Sequence, residues 1–231
     1  MPTDKIQQIE AYVVQAMAGV VNPDLKIRHD FKHVDRVRRR ALYLAQCESF
    51  ADLELVEAAA LLHDIGLTQL ETRNDHGPVG AAIAARFLRE RGLFAEDEIA
   101  GIAKAIHNHS AIHGDWDALG YLLRDADILD TLGAVGVMRA FTSKYAKPEY
   151  APEAIKGETW GLSADDFTAR RVAGLGIGPT IMDQINLQIS LIDVLHTATA
   201  RRIAEPLAAF MKAFLIELEA EIQFSPLLPT P

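Results

Sequence analysis

The dipeptide His63-Asp64 constrains this chain more than any other feature, because it directly follows the apolar run of AALLHDIG. A run of that kind is built for burial, and a carboxylate carried in beside it is costly unless something positive meets it. The same conflict recurs in LLRDADILD, where Asp125, Asp127 and Asp130 sit among leucines and alanines. Upstream, HDFKHVDRV places His33 on a third amphipathic segment. Neutral imidazole and carboxylate are good ligands for divalent cations such as Mn²⁺, Fe²⁺ or Zn²⁺. His33, His63, Asp64 and Asp127 can therefore converge on one ion in the core of a helical bundle. That ion supplies the charge the buried acids need.

The hydrophobic period is helical throughout. Residues 4–19 space Ile6, Ile9, Val13 and Met17 near one helical turn apart, and Asn22-Pro23 ends the run. A second helix is predicted from Asp30, an N-cap residue type, with Phe31, Val34, Val37, Ala41 and Leu44 on one side. A third spans 52–65 and stops at Gly66, a fourth spans about Pro78 to Arg91, and a fifth spans 96–108. The sixth runs from about Asp117 to Thr131 and continues, with a kink at Gly133 or Gly136, towards Phe141. From Ser143 to Pro179 glycine and proline break the pattern, and a stretch this long reads as a loop that covers or shapes a pocket. Two further helices are predicted over 181–197 and 199–223, with Pro206 close to the start of the second or kinking it. With no repeat and no strand pair, this is one all-α domain.

Composition removes several function classes. Hydrophobic residues at 49% and charged residues at 24% are an ordinary globular balance, enough for one good-sized core. A net charge of −9 argues against non-specific grip on duplex nucleic acid, and the basic cluster at Arg36, Arg38, Arg39 and Arg40 reads first as a solvated helix face. It does not exclude a phosphorylated substrate, since a metal and a few arginines reverse the field locally. No apolar stretch is long enough to span a membrane, and the N-terminus lacks a signal-peptide pattern. The lone Cys47 fits a reducing, cytoplasmic setting.

The order of HVDRV, AALLHDIG, HGPVGA, IHNHS and LLRDADILDTLGAVGVMR resembles the HD-domain superfamily of metal-dependent phosphohydrolases, over most of the chain. Within it the chain looks most like a bacterial subgroup that includes nucleotide pyrophosphohydrolases. The resemblance implies a single HD-type helical bundle over 1–231, with a core at 24–142, a pocket-covering irregular segment at 143–179 and C-terminal helices at 180–223. It implies His33, His63, Asp64 and Asp127 as the ligands of a divalent ion (Mn, Mg, Fe, Co or Zn). Such an ion lowers the pKa of bound water and polarises a phosphoryl oxygen. Some relatives bind a second ion through further histidines, and His76 and His109 match those segments. The alternative has His76 capping a helix while His107 and His109 orient water or substrate, and on the sequence the mononuclear site is preferred.

The implied substrate is a small phosphorylated molecule, most readily a nucleotide, and hydrolysis of a phosphomonoester or release of pyrophosphate both fit. Arg36, Arg73 and Arg124 are the candidate phosphate partners, since a guanidinium binds phosphate in a bidentate fork. Arg124 is the best placed, flanking Asp127, although each can equally be a structural ion-pair residue. The segment AIHGDWDALGY departs from the subgroup's pattern and is where base or leaving-group specificity is expected to differ. Two other classes stay open: a di-iron oxygenase of the same fold, and a non-catalytic metal- or nucleotide-binding regulatory module.

Overall fold

Apolar side chains at helical spacing decide the architecture. The computed structural model describes residues 2–20, 30–70, 75–111 and 114–224. Its helices are α1 (Asp4–Ala18), α2 (Phe31–Cys47), α3 (Leu53–Leu62), α4 (His76–Arg91), α5 (Glu96–Asn108), α6 (Ala118–Asp130), α7 (Gly133–Ser143), α8 (Ala164–Val172), α9 (Ile181–Ser190) and α10 (Ala198–Ile222). Short 3-10 turns follow α3 at Ile65–Gln69 and α9 at Leu191–Val194. Among the described residues there is no β-strand, and no helix is long and apolar enough to cross a membrane. The all-α expectation holds.

The described residues gather into two compact units, one within Met1–Asp130 plus His196–Ala200, the other within Thr131–Leu195 plus Arg201–Pro231. In the first, α2 packs on α3 and α6, α3 also meets α1, α5 and α6, and α4 lies along α5. Val34, Val37, Ala41 and Leu44 of α2 are fully buried, as their spacing predicts, and so is Ile102 of α5. Asp30 caps α2, its carboxylate accepting from the His33 amide at 3.1 Å. Asp52 does the same for α3 through the Leu55 amide.

Four element boundaries differ from expectation, and the first is the helix expected over 181–197, which ends at Ser190 with a separate 3-10 turn at Leu191–Val194. Helix α3 ends at Leu62, before His63-Asp64, and the chain tightens into a 3-10 turn. Gly66 sits in that turn because α4 presses on it: a Cβ there would lie 2.1 Å from the His76 carbonyl oxygen. Helix α4 starts at His76, two residues before the expected Pro78, since proline is tolerated in a first turn. The run after Asp130 breaks rather than kinks, with Gly133 at φ +68°. A Cβ at Gly136 would lie 2.0 Å from the Thr131 carbonyl, so glycine permits the tight start of α7.

The second unit is organised by Asp183, which is fully buried on α9. Its carboxylate accepts from the amide and hydroxyl of Thr159 at 3.0 and 2.7 Å and from those of Thr180 at 2.9 and 2.7 Å. These bonds pin both ends of a stretch that contains α8, a helix inside the 143–179 segment expected to be irregular. Trp160, Leu162 and Ser163 of that stretch line a cavity of about 340 Å³ together with Asn186, Ile189 and Lys212.

Candidate metal centre

Four helix ends and one helix interior deliver the candidate ligands within the first unit. His33 lies in the first turn of α2, His63 and Asp64 leave the end of α3, His76 opens α4, His109 caps the end of α5, and Asp127 projects from α6. His33, His63, Asp64, His76 and His109 are all buried, between 0% and 4% exposed.

The imidazole Nε2 atoms of His33 and His63 face each other at 3.3 Å. Asp64 Oδ2 is 3.3 Å from the first and 3.4 Å from the second, and Asp127 Oδ1 is 3.4 Å from His33. On the other side, Asp64 Oδ1 is 3.6 Å from His76 Nε2 and 3.7 Å from His109 Nε2, which lie 3.1 Å apart. Asp64 thus stands between two groups of three donors, His33–His63–Asp64 and Asp64–His76–His109. The structure brings together every ligand expected from the sequence, and the two histidines of the second-ion alternative with them.

Whether these residues fit a cation turns on which ring nitrogens carry protons. His63 Nδ1 donates to the Ala60 carbonyl at 2.8 Å, and His109 Nδ1 donates to the Ile106 carbonyl at 2.6 Å. A carbonyl oxygen only accepts, so both Nδ1 atoms hold the hydrogen. His33 Nδ1 is likewise held at 2.8 Å by Asp130 Oδ2. In the neutral rings each Nε2 therefore presents a lone pair into a dry space that already holds carboxylates. Lone pairs facing one another repel, and a cation turns that repulsion into coordination. Ligand atoms bound at roughly 2.0–2.2 Å to one ion lie roughly 3–3.5 Å from each other, close to the separations observed. The donor set fits.

A proton partly fills the same role. Burial opposes charge on His63, but Asp64 and Asp127 overcome it and raise the ring to about 9 from its ordinary 6.5. Burial likewise opposes ionisation of Asp127, yet the charges of His33 and His63 outweigh it and hold the carboxyl below its ordinary value.

Asp130 has a part the sequence reading missed. It is fully buried and accepts from His33 Nδ1, from Arg36 Nε and Nη2 at 2.8 and 3.0 Å, and from Arg40. His33, Arg36 and Arg40 recur at i, i+3 and i+7 along α2, and that stripe was the available signal. Two nitrogens of the Arg36 guanidinium are thereby committed to a carboxylate. Arg124 is 2% exposed, donates Nε to the Ala111 carbonyl at 2.9 Å and lies 4.8 Å from the Trp116 ring. Burial lowers its pKa, against the pull of Asp125 and Asp127. Arg73, the third phosphate candidate, lies outside the described residues.

Residues 30–132 match the model of the HD domain family. Bacillus subtilis YpgQ is 29% identical over 213 residues, which span 84% of either chain. The structure of YpgQ in complex with ADP aligns with a TM-score of 0.62 at 28% identity, covering 94% of both chains. A predicted HD-superfamily hydrolase from an uncultured Thermotogales bacterium aligns at 0.61 and 27% identity, over 93% of this chain and 91% of that one. A Lactobacillus plantarum protein shares the fold at a TM-score of 0.72 and 24% identity, over 97% and 100% of the two chains.

Proposed function

Since residues 30–132 of this chain are an HD domain, we propose that it is a divalent-metal-dependent phosphohydrolase acting on a small phosphate ester or anhydride, most readily a nucleotide. The observation that carries the reading is the set of buried imidazole nitrogens and carboxylate oxygens facing one another at 3.1–3.7 Å. His33, His63, Asp64 and Asp127 would hold one ion, and Asp64, His76 and His109 a second. The separate presentation of Asp64 Oδ1 and Oδ2 to two imidazole pairs favours two ions over the single ion preferred from sequence. Bound divalent ions supply Lewis acidity towards a phosphoryl oxygen and acidify coordinated water.

The chain's own residues do the rest. Asp130 and the carbonyls of Ala60 and Ile106 fix ring orientation and tautomer, so no reorganisation is needed as charge develops. Helix α6 carries Arg124 one turn before Asp127, where a guanidinium can meet the negative charge of a phosphate. The nucleotide preference draws on YpgQ, whose structure holds ADP.

The test is a panel of nucleoside mono-, di- and triphosphates and simple phosphate esters with Mn²⁺, Mg²⁺, Co²⁺ or Fe²⁺, measuring phosphate and pyrophosphate separately. The proposal expects turnover that a chelator abolishes and added metal restores. Oxygen consumption with bound iron and no phosphate release would replace it with the oxygenase reading. Tight nucleotide binding with no turnover would favour the regulatory module.

A further inference from the structure

Helix α10 is apolar on two sides. Ala204, Ala208, Met211 and Leu215 recur at i, i+4, i+7 and i+11, and all four are buried. That stripe holds the helix to its own unit. The side turned away from it is apolar as well. Pro206, Ala209, Phe210, Ala213 and Ile216 are all exposed, Phe210 at 48% and Ile216 at 54%. A helix face left to water normally carries charge, and here none falls inside the face. At about 100° per residue, Glu205 and Lys212 turn to its flank, and Lys212 lines the cavity of this unit.

The charges gather at the two ends of the face, and they differ in sign. Arg202 precedes the apolar stretch, Glu217 and Glu221 follow it, and all three are exposed. Their neighbours off the face are engaged: Arg201 donates to the Leu195 carbonyl at 2.9 Å, and Glu219 pairs with Lys156 at 2.5 Å. Arg202, Glu217 and Glu221 take part in no ion pair among the described residues.

A face with a cation at one end, acids at the other and apolar surface between is complementary to itself when reversed. Two copies of α10 related by a twofold axis run antiparallel, which brings Arg202 of each against Glu217 and Glu221 of the other. The axis that does so passes beside Phe210. It sets each phenyl ring against Ala209 and Ala213 of the other copy, large against small. Parallel pairing would put Arg202 on Arg202 and acid on acid, so the charges select the antiparallel arrangement. A shallow crossing of about 20° keeps the charged ends in reach over the roughly 28 Å from Arg202 to Glu221.

We infer that this face of α10 is the contact of a symmetric dimer, its occupant a second copy of this chain. A face about 28 Å long and 10 Å wide is smaller than the roughly 800 Å² that each partner gives to a standard stable interface, so the dimer forms and parts with concentration. Sedimentation velocity of the full chain over a wide concentration range tests it. The chains compared are wild type, Phe210→Glu, Arg202→Glu and the triple variant Arg202→Glu/Glu217→Arg/Glu221→Arg. Every replaced side chain is exposed, and circular dichroism checks that helix content is kept. Wild type should pass from the chain mass to twice that mass as concentration rises, and Phe210→Glu should stay monomeric throughout. Arg202→Glu should weaken the dimer roughly tenfold or more, since like charges then meet at both ends. The triple variant restores opposite signs and should return the dimer to near wild-type strength. Wild type that is monomeric at every concentration would overturn the second copy as occupant and leave the face to a different partner. A dimer indifferent to Phe210→Glu, or a charge reversal that the folded triple variant fails to rescue, would overturn the contact itself.

Discussion

At the scale of single residues, the centre depends on groups that hold the ligands as much as on the ligands themselves. Asp130 keeps the proton of His33 on Nδ1 and is itself balanced by Arg36 and Arg40. Replacing Asp130 by Asn keeps the shape and removes the charge, so metal affinity should drop about 10- to 100-fold with the fold retained. A competition titration against a coloured chelator measures this, and unchanged affinity would reduce Asp130 to a packing residue. His63 gives a pH dependence with a definite sign. Its folded-state pKa of about 9 lies above the ordinary 6.5, so in the metal-free chain its proton stabilises the fold fully below pH 6.5. That contribution fades as pH rises through about 9. A metal must displace the same proton, so apparent affinity should climb by roughly tenfold per pH unit up to that value. Thermal melts with and without metal across pH 6 to 10, on the order of one melt per unit, test both directions. A metal-free melting temperature that rises between the two values would contradict the assignment.

At the scale of elements, the short 3-10 turn after α3 is the joint on which the centre hangs. It aims His63 and Asp64, and Gly66 within it lets α4 approach closely enough to deliver His76. A methyl at Gly66 would meet the His76 carbonyl at 2.1 Å and the Gly80 amide nitrogen at 2.6 Å, and both are backbone atoms. Gly66→Ala should therefore destabilise the chain by about 1–3 kcal/mol and weaken metal binding by pushing α4 away. Denaturant unfolding with a parallel metal titration reads both quantities. A variant as stable and as metal-avid as wild type would show that the turn has slack. The sequence located this glycine but assigned it to a helix stop, because a residue that is glycine for chain reversal and one that is glycine for close approach look alike without the partner helix. Helix α8 was missed for a related reason. Its Ser163 and Asp166 form a capping box, but glycines and prolines crowd around a helix only nine residues long.

At the scale of the whole molecule, what was legible is what periodicity and buried charge can encode. The apolar stripes gave the helices, and the acids stranded among leucines pointed to the centre. His33, His63, Asp64 and Asp127 come together as expected, with Asp64 Oδ2 3.3 and 3.4 Å from the two imidazoles. The partition of His76 and His109 was not legible, since each is an isolated histidine until α4 and α5 lie side by side. Asp130 escaped for the opposite reason: its partners are on α2, 90 to 97 residues earlier in the chain. Replacing His76 and His109 together by Gln should lower the bound metal from two ions per chain to one, and a wild-type chain that is fully active with one ion would remove the second position.

The central claim is that Asp64, shared by both donor groups, is what holds metal in this chain and that metal is what makes it a hydrolase. Elemental analysis of wild type and Asp64→Ala, both purified without chelator and assayed for phosphate release from the same nucleotide, tests it most directly. The account predicts divalent metal and metal-dependent turnover in wild type, and the loss of both together in a folded Asp64→Ala chain. An Asp64→Ala chain that keeps wild-type metal content and wild-type turnover would contradict it.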